Sequence, residues 1–169
     1  MERLFVGSMV ITMNPKGEII PNGGVYVKDD RIEAVGTAAE LQKQYPDVKR
    51  QDVSGRALLP GFINIHSHSN LAALKGLAED VSTYTAVYGM MPTVRACLDE
   101  EGMYNVSLNG LVEMVTAGTT TVAETSPLKV AEAIRDVGVR AVFGAGMVFD
   151  HEYDQIRYGK YIHNPSLGE

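Results

Sequence analysis

The sequence predicts an α/β protein in which a small β-domain precedes a parallel sheet with helical crossovers. Up to about Leu59, short runs of β-forming residues are separated by turn residues. From Pro60 onward, apolar strands alternate with helix patterns, an order that is typical of parallel β-α-β units. The pattern ends after a third strand, and a chain of 169 residues holds one domain, or one domain and part of another.

Residues 1–59 are predicted to form a small β-domain, a sandwich or part of one. Leu4–Met13 is rich in β-forming residues and ends at a turn with the sequence NPKG. A hairpin follows, because β-forming residues alternate before the Asp29–Asp30 turn and resume after it. A short helix over Ala38–Gln44 ends before Pro46, and the runs DVKRQDV and GRALL are predicted to be short strands.

Residues 60–169 are predicted to contain three strands of a parallel sheet, joined by helices. The strand sequences are GFINIH, TTTVAE and VRAVFGAGMVF, and the last is apolar enough for burial on both faces. One helix is predicted around Ser82–Met90, and a longer one runs from the N-cap Asp99 to Ala117. A third helix takes Ser126 as its N-cap and Pro127 in its first turn. The chain then turns polar and aromatic, and no fourth strand is predicted.

Composition restricts the partners and the location of the protein. The formal net charge of −6 argues against nucleic acid as a partner, because binding to phosphates requires a basic surface. The N-terminal residues lack the apolar core of a signal peptide, and no run reaches the roughly 20 apolar residues of a membrane span. Cys97 is the one cysteine, which favours a reducing compartment. We therefore expect a cytoplasmic protein that binds neither nucleic acid nor membrane.

His66 and His68 are the candidate metal ligands. They stand one residue apart at the carboxyl end of the strand GFINIH, where parallel α/β folds place their chemistry. Residues i and i+2 of a strand point to the same face, so the two imidazoles converge and can share a divalent ion such as zinc, while Ser67 points away. A bare H-x-H pair also occurs by chance. Its position after Pro-Gly, at the start of a strand-helix alternation, favours the metal interpretation.

The segment DVSGRALLPGFINIHSHSN resembles the signature of the amidohydrolase superfamily. The matching positions are Asp52, Gly55, Pro60, Gly61, Phe62, Ile63, Asn64, His66 and His68. Two further segments, TAGTTTV and GVRAVFG, resemble the second and third barrel strands of that superfamily. The stretch Leu74–Asp80 is most similar to the branch that deaminates or dechlorinates nitrogen heterocycles, which includes the triazine chlorohydrolases.

The resemblance implies a fold and an activity. The fold is the N-terminal part, about three strands, of a (β/α)8 TIM-type barrel that follows the small β-sandwich. The activity is that of a hydrolase, a deaminase or a chlorohydrolase, that uses a metal-activated water on a C–N or C–Cl bond of a small heterocyclic substrate. The cofactor is one divalent metal, zinc or iron. Its ligands are His66, His68, a histidine of strand five and an aspartate of strand eight.

The later ligands have no counterpart in this chain, which contains only half of such a metal site. A barrel of eight strands needs about 250 residues, so we expect residues 60–169 to be an incomplete barrel that is inactive by itself. The remainder of the same protein, or self-association into a homo-oligomer, would complete it. Two alternatives stay open: a catalytically silent half-barrel that acts by association, and a binuclear cyclic amidohydrolase of the dihydroorotase or hydantoinase type.

Other residues near the predicted site have weaker claims. Glu124 ends the second strand at the predicted mouth and is a candidate for substrate contact, although a solvated carboxylate is the commoner role there. Asn70 is a candidate partner of His68 or a helix N-cap. His151 and His163 lie in the polar tail and are predicted to be surface residues. The catalytic acid and base are left unassigned, because later strands supply them.

Overall fold

Alternating apolar residues build a five-stranded sheet in the first sixty residues. The strands are β1 (Glu2–Ile11), β2 (Ile19–Lys28), β3 (Arg31–Thr37), β4 (Arg50–Asp52) and β5 (Ala57–Leu58). β1 pairs with β2, and β2 with β3, in antiparallel register, whereas β4 and β5 each pair with β1 in parallel register. The computed structural model describes residues 1–126 and 129–145, and the chain divides into two compact units, Met1–Pro60 and Gly61–Glu169.

One helix, α1 (Ala38–Gln44), packs on one face of this first sheet. The buried side chains between them are Leu4, Val6, Tyr26, Ala38 and Leu41. Thr37 begins the helix through a capping box: its hydroxyl accepts from the Glu40 N–H at 3.3 Å, and Glu40 Oε2 accepts from the Thr37 N–H at 3.2 Å. Hydrogen bonds from the Thr37 hydroxyl and N–H also hold the pKa of Glu40 below its ordinary value.

The opposite face of the same sheet carries apolar side chains that nothing within this unit covers. Phe5, Val25 and Val27 help to line a hollow of about 250 Å³ on that face, and Ile32 is 66% exposed. A sandwich requires a second sheet against such a face. The described residues of this unit form one sheet and one helix, so the predicted sandwich is not seen in them.

In the second unit three parallel strands alternate with helices, which confirms the predicted α/β class. The strands are β6 (Phe62–Ser67), β7 (Thr119–Ser126) and β8 (Arg140–Ala145), adjacent in that order. The helices are α2 (Thr83–Thr85), α3 (Met91–Cys97), α4 (Glu100–Thr116) and α5 (Lys129–Val137), with a 3-10 helix over Ser69–Leu74 and a π-helical turn over Ala86–Met90. None of the helices in the described part of the chain is both long and apolar enough to cross a lipid bilayer.

Local hydrogen bonds set the ends of these helices. The Asp99 carboxylate accepts from the Gly102 N–H at 2.7 Å and begins α4, as predicted. Gly118, at φ +97°, ends that helix in the left-handed conformation. The helix predicted over Ser82–Met90 instead continues to Cys97, because a π-helical turn joins α2 to α3.

Ser126 is the last residue of β7, and its hydroxyl hydrogen-bonds to Glu124 within the same strand. Residues 127 and 128, the predicted first turn of the following helix, lie outside the described residues. The same holds for residues 146–149, the predicted end of the third strand.

The helices α4 and α5 cover one face of the parallel sheet and leave the other face open. The buried apolar side chains are Leu111, Val122, Val130, Ala133 and Ile134. On the open face, Ile65 is 82% exposed, and Val142, in the strand predicted to be buried, is 73% exposed. Parallel sheets normally have both faces covered, and among the described residues of this unit no helix or strand covers this face.

Candidate metal centre

His66 and His68 lie where β6 ends, at the carboxyl edge of the parallel sheet. β6 pairs with β7 so that Asn64 stands opposite Val122, and Ser67 opposite Glu124. Three residue steps along β6 therefore match two along β7, which is a β-bulge that contains His66. Bulges of this kind re-aim side chains next to active sites. Asn64 supports the bulge, since its Oδ1 accepts from the His66 N–H at 3.2 Å.

The two imidazole rings approach each other through their Nε2 atoms, which are 3.1 Å apart. The ring planes cross at 82°. His68 Nδ1 lies 2.6 Å from the carbonyl oxygen of Thr125 on β7. Because a carbonyl oxygen only accepts, Nδ1 carries the proton, and Nε2 of His68 presents a lone pair on the side of His66. A carbonyl partner on the second ring nitrogen is what orients a metal-binding histidine.

The distance between the two Nε2 atoms fits a shared divalent metal. Zinc binds imidazole nitrogen at about 2.0–2.1 Å in tetrahedral geometry, which places two ligand nitrogens roughly 3.3 Å apart. The observed separation is 3.1 Å. A zinc site needs further protein ligands, and within residues 1–126 and 129–145 no group of three histidine, cysteine, aspartate or glutamate residues is placed to hold an ion. The histidine pair therefore fits one edge of a coordination sphere.

A buried carboxyl group, that of Glu124, lies on the other face of β7, the face that also carries Val122. Glu124 is 1% exposed. It accepts hydrogen bonds from the Ser67 hydroxyl at 2.5 Å, from the Ser69 N–H at 3.1 and 3.2 Å, and from the Ser126 hydroxyl. Ser67 and Ser69 stand on either side of His68 in the chain, so the carboxyl group of Glu124 accepts hydrogen bonds from both neighbours of a candidate metal ligand.

The other candidate residues are placed as follows. Substrate contact by Glu124 stays a prediction, and such a contact would have to displace the donors that its carboxyl group now has. Asn70 is buried inside the 3-10 helix, and its amide oxygen lies 3.1 Å from the Ser126 hydroxyl, so it does not form the predicted N-cap. His151 and His163 lie outside the described residues.

Sequence reasoning missed the serines around Glu124 as parts of the site. A signal for them was present, because alternation along β7 places Glu124 and Ser126 on the same face as the apolar Val122. A carboxylate on a buried face needs hydrogen-bond donors. The hydroxyl of Ser67, on the neighbouring strand and pointing away from the histidines, is a natural source.

The fold is that of an α/β protein, and its histidine pair, at the carboxyl edge of the parallel sheet, is a candidate for half of a divalent metal site. The sequence profile of the amidohydrolase family matches residues 57–161. The chain belongs to this family, as the motif around His66 and His68 predicts. Residues 23–47 also match an imidazolonepropionase-like composite domain of bacteria.

Curated relatives and solved structures resemble this chain over most of its length. A 5-methylthioadenosine/S-adenosylhomocysteine deaminase of Syntrophobacter fumaroxidans is 35% identical over 143 residues, which are 83% of this chain and 33% of the relative. The structure of Helicobacter pylori aminofutalosine deaminase in complex with methylthio-coformycin has a TM-score of 0.70 at 26% identity, over 83% of this chain and 34% of that chain.

The zinc complex of atrazine chlorohydrolase from Arthrobacter aurescens TC1 shares the fold, with a TM-score of 0.72 at 22% identity. This likeness covers 84% of the present chain and 35% of the chlorohydrolase. The chain thus spans about a third of the length of the relatives that it matches.

Proposed function

We propose that this chain is the metal-binding N-terminal portion of a hydrolase that replaces an amine or a chloride on a small nitrogen heterocycle. The observation that carries the proposal is the Nε2 pair of His66 and His68, 3.1 Å apart, with His68 Nδ1 bonded to the Thr125 carbonyl. The similar proteins support the substrate class, since they include a nucleoside-type deaminase and an atrazine chlorohydrolase.

Two histidines of this chain would hold the metal cofactor. A bound divalent metal, zinc or iron, lowers the pKa of a coordinated water and so supplies a hydroxide nucleophile near neutral pH. His66 and His68 would bind it through Nε2, and the Thr125 carbonyl keeps the His68 proton on Nδ1. The net reaction adds water at the ring carbon, forms a C–O bond, breaks the C–N or C–Cl bond and releases either ammonia or chloride together with a proton.

We propose further that β6, β7 and β8 are the first three strands of an eight-stranded TIM-type barrel. The open apolar face of these strands, where Ile65 is 82% exposed, supports this proposal. The uncovered face of the first sheet supports a sandwich completed by another sheet. The remainder of the same protein would supply the missing strands, the further metal ligands and the acid and base residues.

The test uses the complete protein that carries this chain. Its divalent metal content per chain is measured by elemental mass spectrometry, and ammonia or chloride release is measured with aminopurine nucleosides and with chlorotriazines. The variant His66→Ala/His68→Ala is compared with His163→Ala, a matched control at a predicted surface histidine.

The expected result is about one metal ion per chain in the wild-type protein and in the control, and loss of both metal and turnover in the double variant. Turnover that survives in the double variant would refute the role of the histidine pair. Two ions per wild-type chain would instead support the binuclear alternative. One ion without turnover of either substrate class would favour the catalytically silent alternative.

A further inference from the structure

We propose that Glu124 is a positioning residue that fixes the direction of the His68 imidazole by holding the main chain on both sides of it. The proposal rests on the metal-binding role that we propose for His68. It concerns a side chain on the helix-covered face of the sheet, whereas the histidine pair lies on the other face.

The contacts of the carboxyl group carry the first step. It accepts from the Ser67 hydroxyl at 2.5 Å and from the Ser69 N–H at 3.1 and 3.2 Å, one donor on each side of His68. Holding both neighbours restricts the backbone torsions of the residue between them, which here are φ −137° and ψ 77°. Those torsions set the direction in which the Cβ of His68 points.

The second step is that β7 holds the imidazole ring as well as the backbone. Thr125 follows Glu124 in β7, and its carbonyl oxygen accepts from His68 Nδ1 at 2.6 Å. A side chain of β7 therefore fixes the main chain around His68, and the next carbonyl group of the same strand fixes the ring. Any slippage between β6 and β7 would disturb both contacts at once.

Burial separates this role from ordinary packing. Burying a carboxyl group costs free energy unless donors compensate it. Among the described residues, the hydrogen-bond donors to the Glu124 carboxyl group are Ser67 and Ser69, which flank His68 in the chain, and Ser126 of β7 itself. Val122, two residues earlier on the same face, is buried among apolar side chains of α4 and α5, and it offers a matched control for packing alone.

The experiment compares Glu124→Leu, Glu124→Gln and Val122→Ala in the complete protein. The zinc dissociation constant is measured by competition with a chelator, alongside thermal unfolding, kcat and KM. Leucine removes every acceptor, and we expect zinc to bind about tenfold or more weakly. Glutamine keeps a carbonyl acceptor for the Ser69 N–H, and the serine hydroxyls can rotate to accept from its amide, so we expect affinity within about threefold of wild type.

Val122→Ala is expected to lower the unfolding temperature and to leave zinc affinity unchanged. Ser67→Ala is the second variant, because it removes one donor with little change in volume and keeps the test valid if Glu124→Leu does not fold. We expect it to weaken zinc binding severalfold. Unchanged zinc affinity in both Glu124→Leu and Ser67→Ala would overturn the proposal. A raised KM in Glu124→Gln, with zinc affinity intact, would overturn it in favour of substrate contact.

A readout without metal separates this proposal from the proposed function. In the metal-free protein with 15N-labelled histidine, NMR reports which ring nitrogen of His68 is protonated. The Nδ1–H form is expected in the wild type and in Val122→Ala, and a mixture of both forms in Ser67→Ala and Glu124→Leu. A wild-type protein that binds no metal refutes the proposed function, whereas an unaltered tautomer in the two variants refutes the positioning role.

Discussion

Replacing Gly110 of α4 by alanine is expected to displace the segment that follows His68. A Cβ at this position would lie 2.5 Å from the carbonyl oxygen of Ser69 and 3.3 Å from Ala72 Cβ. Ordinary contacts begin near 3.4 Å, so α4 and the 3-10 helix would have to separate by about 0.9 Å. Because the Ser69 oxygen belongs to the backbone, no change of rotamer relieves the contact.

Two opposing terms set the size of the effect of Gly110→Ala on stability. Alanine in place of glycine inside a helix stabilises by about 0.5–1 kcal/mol. Overpacking of a well-packed site costs about 1–3 kcal/mol, and here the obstacle is rigid. We therefore expect a net loss of roughly 1–2 kcal/mol. A displacement near 1 Å next to a ligand can lower turnover by about 100-fold, so zinc affinity and turnover should fall as well.

Denaturant unfolding and zinc competition, both on the complete protein, measure the consequences of Gly110→Ala. Gly89→Ala is the matched control, because a Cβ at Gly89 has no neighbour within 4 Å and lies in the helical segment α2–α3. The control should be as stable as the wild type or more so. Equal stability and equal zinc affinity in the two variants would refute the argument that Gly110 is required for close approach of α4 to Ser69.

Three further variants test other parts of the fold. Thr37→Ala removes the capping box of α1 and should cost about 1 kcal/mol, seen as roughly fivefold faster amide exchange across the helix; unchanged exchange would contradict the cap assignment. Leu111→Ala, at a fully buried site, should destabilise by about 2–5 kcal/mol in thermal unfolding, and a loss below about 1 kcal/mol would show that the core around it collapses. The Arg135 guanidinium holds the pKa of Asp136 below its ordinary value, so this carboxylate stabilises the fold above its unfolded pKa and ceases to as the pH falls through the lower folded value. The stability deficit of Asp136→Asn should therefore be present at about pH 6 and shrink towards pH 3, whereas a deficit that grows on acidification would contradict the sign.

Features encoded within a few residues of chain were predictable. The bounds of α1 agree with the predicted Ala38–Gln44, and Asp99 caps α4 as predicted. The convergence of His66 and His68 follows from strand alternation, and the two Nε2 atoms do meet. Such features depend on hydrogen bonds and side-chain directions that span three or four positions, so the sequence around each one is sufficient to infer it.

Features that join distant parts of the chain were not predictable in the same way. Two of the three donors of Glu124, Ser67 and Ser69, lie 57 and 55 positions earlier in the chain, and the partner of His68 Nδ1 is likewise 57 positions away. The bulge that carries His66 depends on the register between β6 and β7. Register and burial arise only when strands and helices pack together. For this reason the sequence predicts Glu124 at the mouth of the site, whereas in the structure its side chain is buried on the face of the sheet that α4 and α5 cover.

The sequence by itself determined that this chain is an α/β protein of the amidohydrolase family with two histidines aimed at one point. Local propensity, alternation and a dense motif suffice for that, because each acts over a short stretch. The tertiary structure alone decided how the pair is held. The Thr125 carbonyl places the His68 proton on Nδ1, and the buried carboxyl group of Glu124 accepts hydrogen bonds from Ser67 and Ser69 on either side of His68. The physical reason is that a buried polar group takes its partners from whichever strands and helices pack around it.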